Sequence, residues 1–137
     1  MFRWKTMMQF FMPMIPPTVT DQEHRINKTQ SGKIIVYDSP DLADAKAKLT
    51  AHLSKHRPKE KITCGVRLIV KWLFPVTGDH RDGEYKTTRP DTDNLQKALK
   101  DCMTKVGFWK DDALVASEVA EKFYADIPGI FIRIEKL

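Results

Sequence analysis

A chain of 137 residues and 15.8 kDa, 42% hydrophobic and 30% charged, has the size and composition of one globular domain that buries a core without disulfides or a structural metal. This excludes a disordered chain; Cys64 and Cys102 lack zinc-ligand spacing and make no disulfide framework, which suits a reducing cytoplasm. The net charge of +5 and pI near 9.2 favour a polyanionic partner, because clustered cations release counterions from phosphates.

Arg3 and Lys5 ahead of the apolar run Met7–Met12 imitate a signal peptide, but Gln9 and Pro13 interrupt it and no small-x-small site follows. The run is also too short to span a bilayer. Residues 7–15 therefore read as a first strand, ended by Pro16-Pro17, which cannot donate ladder hydrogen bonds. Polar residues from Thr18 to Ser31 read as a surface stretch, and Gly32–Tyr37 as a short β segment. Ser39-Pro40-Asp41 then supplies an N-cap with proline at the first helical position. Leu42, Ala45, Leu49 and Leu53 recur at helical spacing to about His56, where Arg57-Pro58 stops the pattern.

In Gly65–Trp72, Val66, Leu68, Val70 and Trp72 alternate with Arg67 and Lys71, the pattern of a half-buried strand. Residues 75–90 show no period and read as a long loop, and its length with His80, Arg81 and Lys86 gives the expectation that Val76 to Thr88 is mobile alone and ordered on DNA. Leu95, Ala98, Leu99, Cys102, Met103 and Val106 then form a helical stripe that closes at Gly107. The segment from Leu114 to Tyr124 fits helix or strand, with propensity leaning to helix. After the turn at Asp126–Gly129, Ile130, Ile132 and Ile134 alternate as a final strand, and a hairpin across that turn requires 114–124 to be a strand.

Five acids fall within the 22 residues from Asp91 to Asp112. Asp91 and Asp93, two apart, point the same way in an extended approach, ahead of a helix N-terminus that favours negative charge. Asp111 and Asp112 follow the same helix, which rises roughly 18 Å over about twelve residues, so they return to the first pair only if the chain doubles back. Carboxylates that converge repel unless a cation sits between them, and hard oxygen ligands select Mg²⁺ or Mn²⁺. Such a cation neutralises phosphate oxygens and activates water for phosphodiester cleavage. Lys97, one turn after Asp93, would steady the transition state or the attacking water. The same residues also admit a plain reading: Thr92 or Asp93 as a cap, Lys97 in a solvated stripe with Asp93 and Asp101, and Asp111-Asp112 as a polar turn. Phe108 and Trp109 beside the helix stop read as core rather than as base-stacking platforms.

The run Arg89-Pro90-Asp91-Thr92-Asp93-Asn94-Leu95-Gln96-Lys97, with Asp101, Gly107-Phe108-Trp109 and Asp111-Asp112 behind it, closely resembles the RusA family of Holliday-junction resolvases. The specific match spans residues 88–115; the remainder agrees in the order of its elements. The resemblance implies that Asp91, Asp93 and Asp112 are catalytic and bind Mg²⁺, with Mn²⁺ able to substitute, that Lys97 is catalytic and that Asp111 supports them. It implies a homodimer acting on four-way junction DNA in recombination and repair, in a bacterial or phage setting such as a prophage, in the cytoplasm at the nucleoid. It also makes 114–124 a strand. One departure stands out: family members commonly carry an asparagine soon after the proline-rich exit from the first strand, and here none occurs before Asn27.

Arg81, Lys86, Arg89, Lys100 and Lys110 are the candidate DNA contacts, with Lys55, Arg57, Lys59, Lys61 and Lys105 as further basic positions. The expectation is a single α+β domain over residues 1–137, a mixed β-sheet carrying two helices on one face, with no membrane segment. The expected activity is Mg²⁺-dependent endonucleolytic resolution of Holliday junctions. Alternatives are a nuclease for flaps or forks, and a branched-DNA-binding protein without cleavage.

Overall fold

The computed structural model describes residues 5–19, 24–28 and 32–137, with backbone alone at 24–28 and 35–37. Strands β1 (Lys5–Met12), β2 (His24–Lys28) and β3 (Ile34–Asp38) lead into helix α1 (Pro40–Ser54). Strand β4 (Val66–Pro75), helix α2 (Thr92–Val106), a 3-10 turn (Asp112–Leu114) and strands β5 (Val115–Ala125) and β6 (Gly129–Lys136) complete the order. The architecture is α+β, with a mixed four-stranded sheet in the order β1-β6-β4-β5 and a separate β2-β3 ribbon.

The first strand spans Lys5–Met12 rather than residues 7–15: it pairs with β6 from Lys5 onward and stops before Pro13, which brings no N–H to the ladder. The stretch from Thr18 to Ser31 is not all surface coil: His24–Lys28 pairs antiparallel with Ile34–Asp38. Polar composition hid this strand, since pairing in a ribbon needs no buried face. Residues 20–23 and 29–31 lie outside the described residues.

Ser39 caps α1, its hydroxyl accepting from the Leu42 N–H at 3.2 Å, and Pro40 sits at the first helical position where no N–H is needed. Gly107 ends α2 in the left-handed conformation at φ 106°, which a side chain rarely adopts, and its N–H reaches Met103 O at 3.1 Å. Both helices lie on one face of the sheet. There Leu49 and Leu53 of α1 and Leu95, Leu99 and Met103 of α2 pack with Val66, Leu68, Val70 and Trp72 of β4 and Ile130, Ile132 and Ile134 of β6. Burying each such aliphatic side chain contributes about 1.5–3 kcal/mol, so this interface holds the fold. Phe108 and Trp109 are fully buried in the same cluster, as core residues.

Val115–Ala125 is a strand, parallel to β4, because α2 and the loop before it return the chain to the same end of the sheet. Cross-strand pairing with β4 overrides its helical propensity. The expected hairpin with β6 does not form: β4 lies between β5 and β6 and pairs with both. Pro75 ends the β4 ladder opposite Ala125, and Gly129 resumes it opposite Leu73. The turn thus crosses the end of β4, spanning two strand spacings of about 10 Å in total. Gly129 is needed there, since a Cβ would run into the Phe11 ring and stand 2.7 Å from the Met12 carbonyl.

Candidate active site

The start of α2 and the middle of β5 wall a concavity of about 520 Å³ lined by Asp93, Lys97, Lys100, Asp101, Asp112 and Glu118, with Thr92, Gln96 and Ala120 completing it. Asp93, Lys97 and Asp101 share one helical face at i, i+4 spacing. Asp112 joins them because the chain does double back. After the left-handed Gly107, Phe108 and Trp109 anchor in the core, the Ile62 N–H holds the Phe108 carbonyl at 2.8 Å, and the 3-10 turn then packs on α2. Asp111 spends one oxygen on that turn, accepting from Ala113 N at 2.9 Å, which is a turn-forming role.

Of the five acids singled out in the sequence, Asp93, Asp101 and Asp112 line this concavity and Asp91 and Asp111 do not. Asp91 occupies the N-cap of α2, yet its side chain makes no capping hydrogen bond, so neither Thr92 nor Asp93 is the cap. Its carboxylate stands at the positive end of the helix. The segment before it is clasped by Lys122 of β5, whose ammonium donates to Thr88 O at 2.6 Å and to Pro90 O at 2.7 Å. Burial, reinforced by the nearby Lys86 ammonium, pulls the Lys122 pKa below the ordinary lysine value, while Asp91 and Tyr124 oppose that shift.

Sequence reading missed two residues that line the concavity and one that holds the segment leading to Asp91. Gln96 is buried and accepts from Trp72 Nε1 at 2.6 Å while its amide donates to Glu118 Oε2 at 2.8 Å. Glu118 in turn pairs with Lys100 at 3.2 Å. Lys122 is the third. The signal for Gln96 was present: it stands three and seven residues before Leu99 and Met103, a polar residue inside an apolar stripe. Glu118 and Lys122 lay on the segment whose type was ambiguous, so no face could be given to them.

The loop before α2 is tied along the free edge of β5. Gly83 N donates to Tyr124 O at 2.8 Å, Tyr124 N to Glu84 O at 2.8 Å and Lys86 N to Lys122 O at 2.9 Å. Lys86 lies over the rings of Phe74 and Tyr124, and its ammonium also donates to Thr88 Oγ1 at 2.6 Å. Arg81 and Arg89 are exposed on this loop. Lys110 lies elsewhere, on a second concavity of about 890 Å³ between the two helices, with Lys46, Thr50, Cys102 and Lys105. Asp101 and Asp112 border both concavities. Burial raises the Cys102 thiol pKa, which leaves it a poor nucleophile.

The possible ligands facing the concavity between α2 and β5 are oxygen donors, chiefly the carboxylates of Asp93, Asp101, Asp112 and Glu118, with neither His nor Cys on its lining. Among the described residues, no three His, Cys, Asp or Glu side chains are grouped so that together they could hold a metal ion. Hard oxygen donors of this kind fit Mg²⁺, which keeps several waters and binds through one or two carboxylates.

The endodeoxyribonuclease RusA family matches residues 15–135, far beyond the 88–115 segment, and the chain belongs to that family. Over 120 residues the chain is 33% identical to the crossover junction endodeoxyribonuclease rusA of Lactococcus phage r1t, covering 86% of this chain and 90% of that relative. It is also 28% identical over 119 residues to the uncharacterized protein YqaN of Bacillus subtilis (strain 168), covering 79% of this chain and 83% of that protein. Among the described residues, no helix is long and apolar enough to cross a membrane.

Proposed function

We propose that the chain resolves Holliday junctions by Mg²⁺-dependent hydrolysis of phosphodiester bonds, with Asp91, Asp93, Asp112 and Lys97 as its catalytic residues. The observation that carries this reading is the meeting of Asp93, Lys97 and Asp112 in one acidic concavity of a RusA-family chain. Asp93 and Asp112 would hold the cation, with Asp91 approaching from the N-cap. A bound divalent cation supplies charge neutralisation at the phosphate and a more acidic water. Lys97 offers its ammonium to the phosphate as negative charge builds on it. Water adds to phosphorus, the 3′ oxygen leaves, and a 5′-phosphate remains.

The enzyme acts in this reading as a homodimer that nicks opposing strands, during recombination and repair in a bacterial or phage-infected cytoplasm. Phe11 of β1 and Val119 of β5, each 37% exposed on the sheet face away from the helices, support a second copy covering that face. Arg81, Lys86, Arg89, Lys100 and Lys110 would contact the DNA backbone.

Cleavage of a labelled four-way junction, with and without Mg²⁺, by the wild type and by Asp112→Asn tests the reading. Paired symmetric nicks that need Mg²⁺ and vanish in a variant that still binds the junction are expected. Preferential cutting of flaps or forks would move the activity to those substrates. Binding without cleavage by the wild type in Mg²⁺ or Mn²⁺ would demote the aspartates to structure.

A further inference from the structure

Four carboxylates and two ammonium groups line the catalytic concavity. An incoming phosphodiester adds negative charge to that acidic site, so a cation that serves it must be kept from wandering among the acids. Lys100 is kept in place. Its ammonium lies 3.2 Å from Glu118 Oε1, and Glu118 Oε2 takes the amide of Gln96 at 2.8 Å. Gln96 is itself oriented without ambiguity: the Trp72 indole can only donate, so at 2.6 Å it fixes the amide oxygen towards the core and the NH₂ towards Glu118. Trp72 is fully buried. The chain Trp72–Gln96–Glu118–Lys100 therefore transmits the rigidity of the core to a cation at the rim of the site.

We propose that Gln96 and Glu118 are positioning residues whose task is to hold Lys100 as the anchor for a DNA phosphate next to the scissile one. The proposal deepens the nuclease reading and rests on it. A merely structural bridge between α2 and β5 has the opposite signature. If Glu118 only tied the elements together, removing its negative charge beside DNA would leave binding unchanged or strengthen it. If Glu118 aims Lys100, the same substitution weakens binding although an acid has been removed.

The test is equilibrium binding of a four-way junction in EDTA, so that nothing is cut, across a salt series, for wild type, Glu118→Gln, Lys100→Met and the double variant. Lys100→Met is expected to weaken binding about three- to tenfold and to reduce the slope of log K against log salt by about 0.9, the value of one phosphate contact. Glu118→Gln is expected to reproduce most of both effects, and the double variant to lose no more than Lys100→Met alone. Tighter or unchanged binding by Glu118→Gln overturns the proposal, as do losses that simply add. Lys100 lies on a helix surface and its replacement leaves the core intact. An unchanged slope in Lys100→Met overturns the proposal whether or not Glu118→Gln folds. If the wild type prefers a flap or fork to the junction, the same series on that DNA separates failure of the relay from failure of the junction reading. A wild type that binds no DNA overturns both.

Discussion

Replacing Lys122 by methionine keeps the aliphatic stem and removes the ammonium that clasps the segment leading to Asp91. Two hydrogen bonds disappear, and they are not equal. The Pro90 carbonyl is partly buried and loses a charge-assisted bond of the kind that contributes about 1.5–3 kcal/mol, whereas the exposed Thr88 carbonyl recovers water at little cost. Relief of the partly buried charge offsets some of this, leaving a net loss of about 1–2 kcal/mol. Since 1.4 kcal/mol is about tenfold in an equilibrium, the segment would open roughly tenfold more often. Urea unfolding should show the stability loss. Hydrogen exchange should show faster exchange at Leu95, whose N–H donates to the Asp91 carbonyl at 3.1 Å in the first turn of α2. Junction cleavage should fall at unchanged binding, in proportion to the closed fraction of the segment and by at most about tenfold, if Asp91 must be in place for chemistry. Unchanged stability together with unchanged Leu95 exchange would refute the clasp. Loss of the clasp with full cleavage would instead refute the need for Asp91 at that position.

Gly129→Ala should cost about 2–3 kcal/mol in urea unfolding by overpacking against Phe11 and the Met12 carbonyl. Adding Phe11→Ala should recover only part of that loss, because the carbonyl remains, and strictly additive losses would remove the ring from the explanation. The Tyr85 hydroxyl donates to Glu121 at 3.0 Å, and this bond raises its pKa above the ordinary phenol value. The stabilisation from it is present below the ordinary phenol pKa and fades as pH rises through the raised value. Near-ultraviolet titration should show Tyr85 ionising late in the wild type and closer to an ordinary phenol in Glu121→Gln; identical titrations would refute the Tyr85–Glu121 hydrogen bond in solution.

Elements whose stability comes from one periodic face were legible in the sequence. The stripe from Leu95 to Val106 and the alternation from Val66 to Trp72 gave α2 and β4, and Gly107 marked the stop because only glycine enters that backbone region easily. Elements defined by a distant partner were not legible. β2 has no apolar alternation to announce it, and the insertion of β6 between β1 and β4 rests on pairings that sequence neighbourhood does not encode. The site divides the same way. Asp93 and Lys97 were readable from helical spacing, whereas Glu118 and Lys122 reach the site only through the parallel register of β5 on β4, which joins residues about fifty positions apart.

That register has a consequence for how the nuclease comes into being. β4, α2 and β5 carry the acidic pocket, yet the interior strand that pins β4 from its other side is β6, which follows all of them along the chain and joins them to β1, the earliest described strand. During synthesis the pocket-bearing half emerges with one flank of β4 unpaired and its apolar row exposed. Closing the sheet must wait for a contact between strands more than a hundred residues apart, a costly loop to close. A cell making this protein thus holds an unfinished, aggregation-prone sheet until β6 arrives, after every residue that lines the acidic concavity has been made.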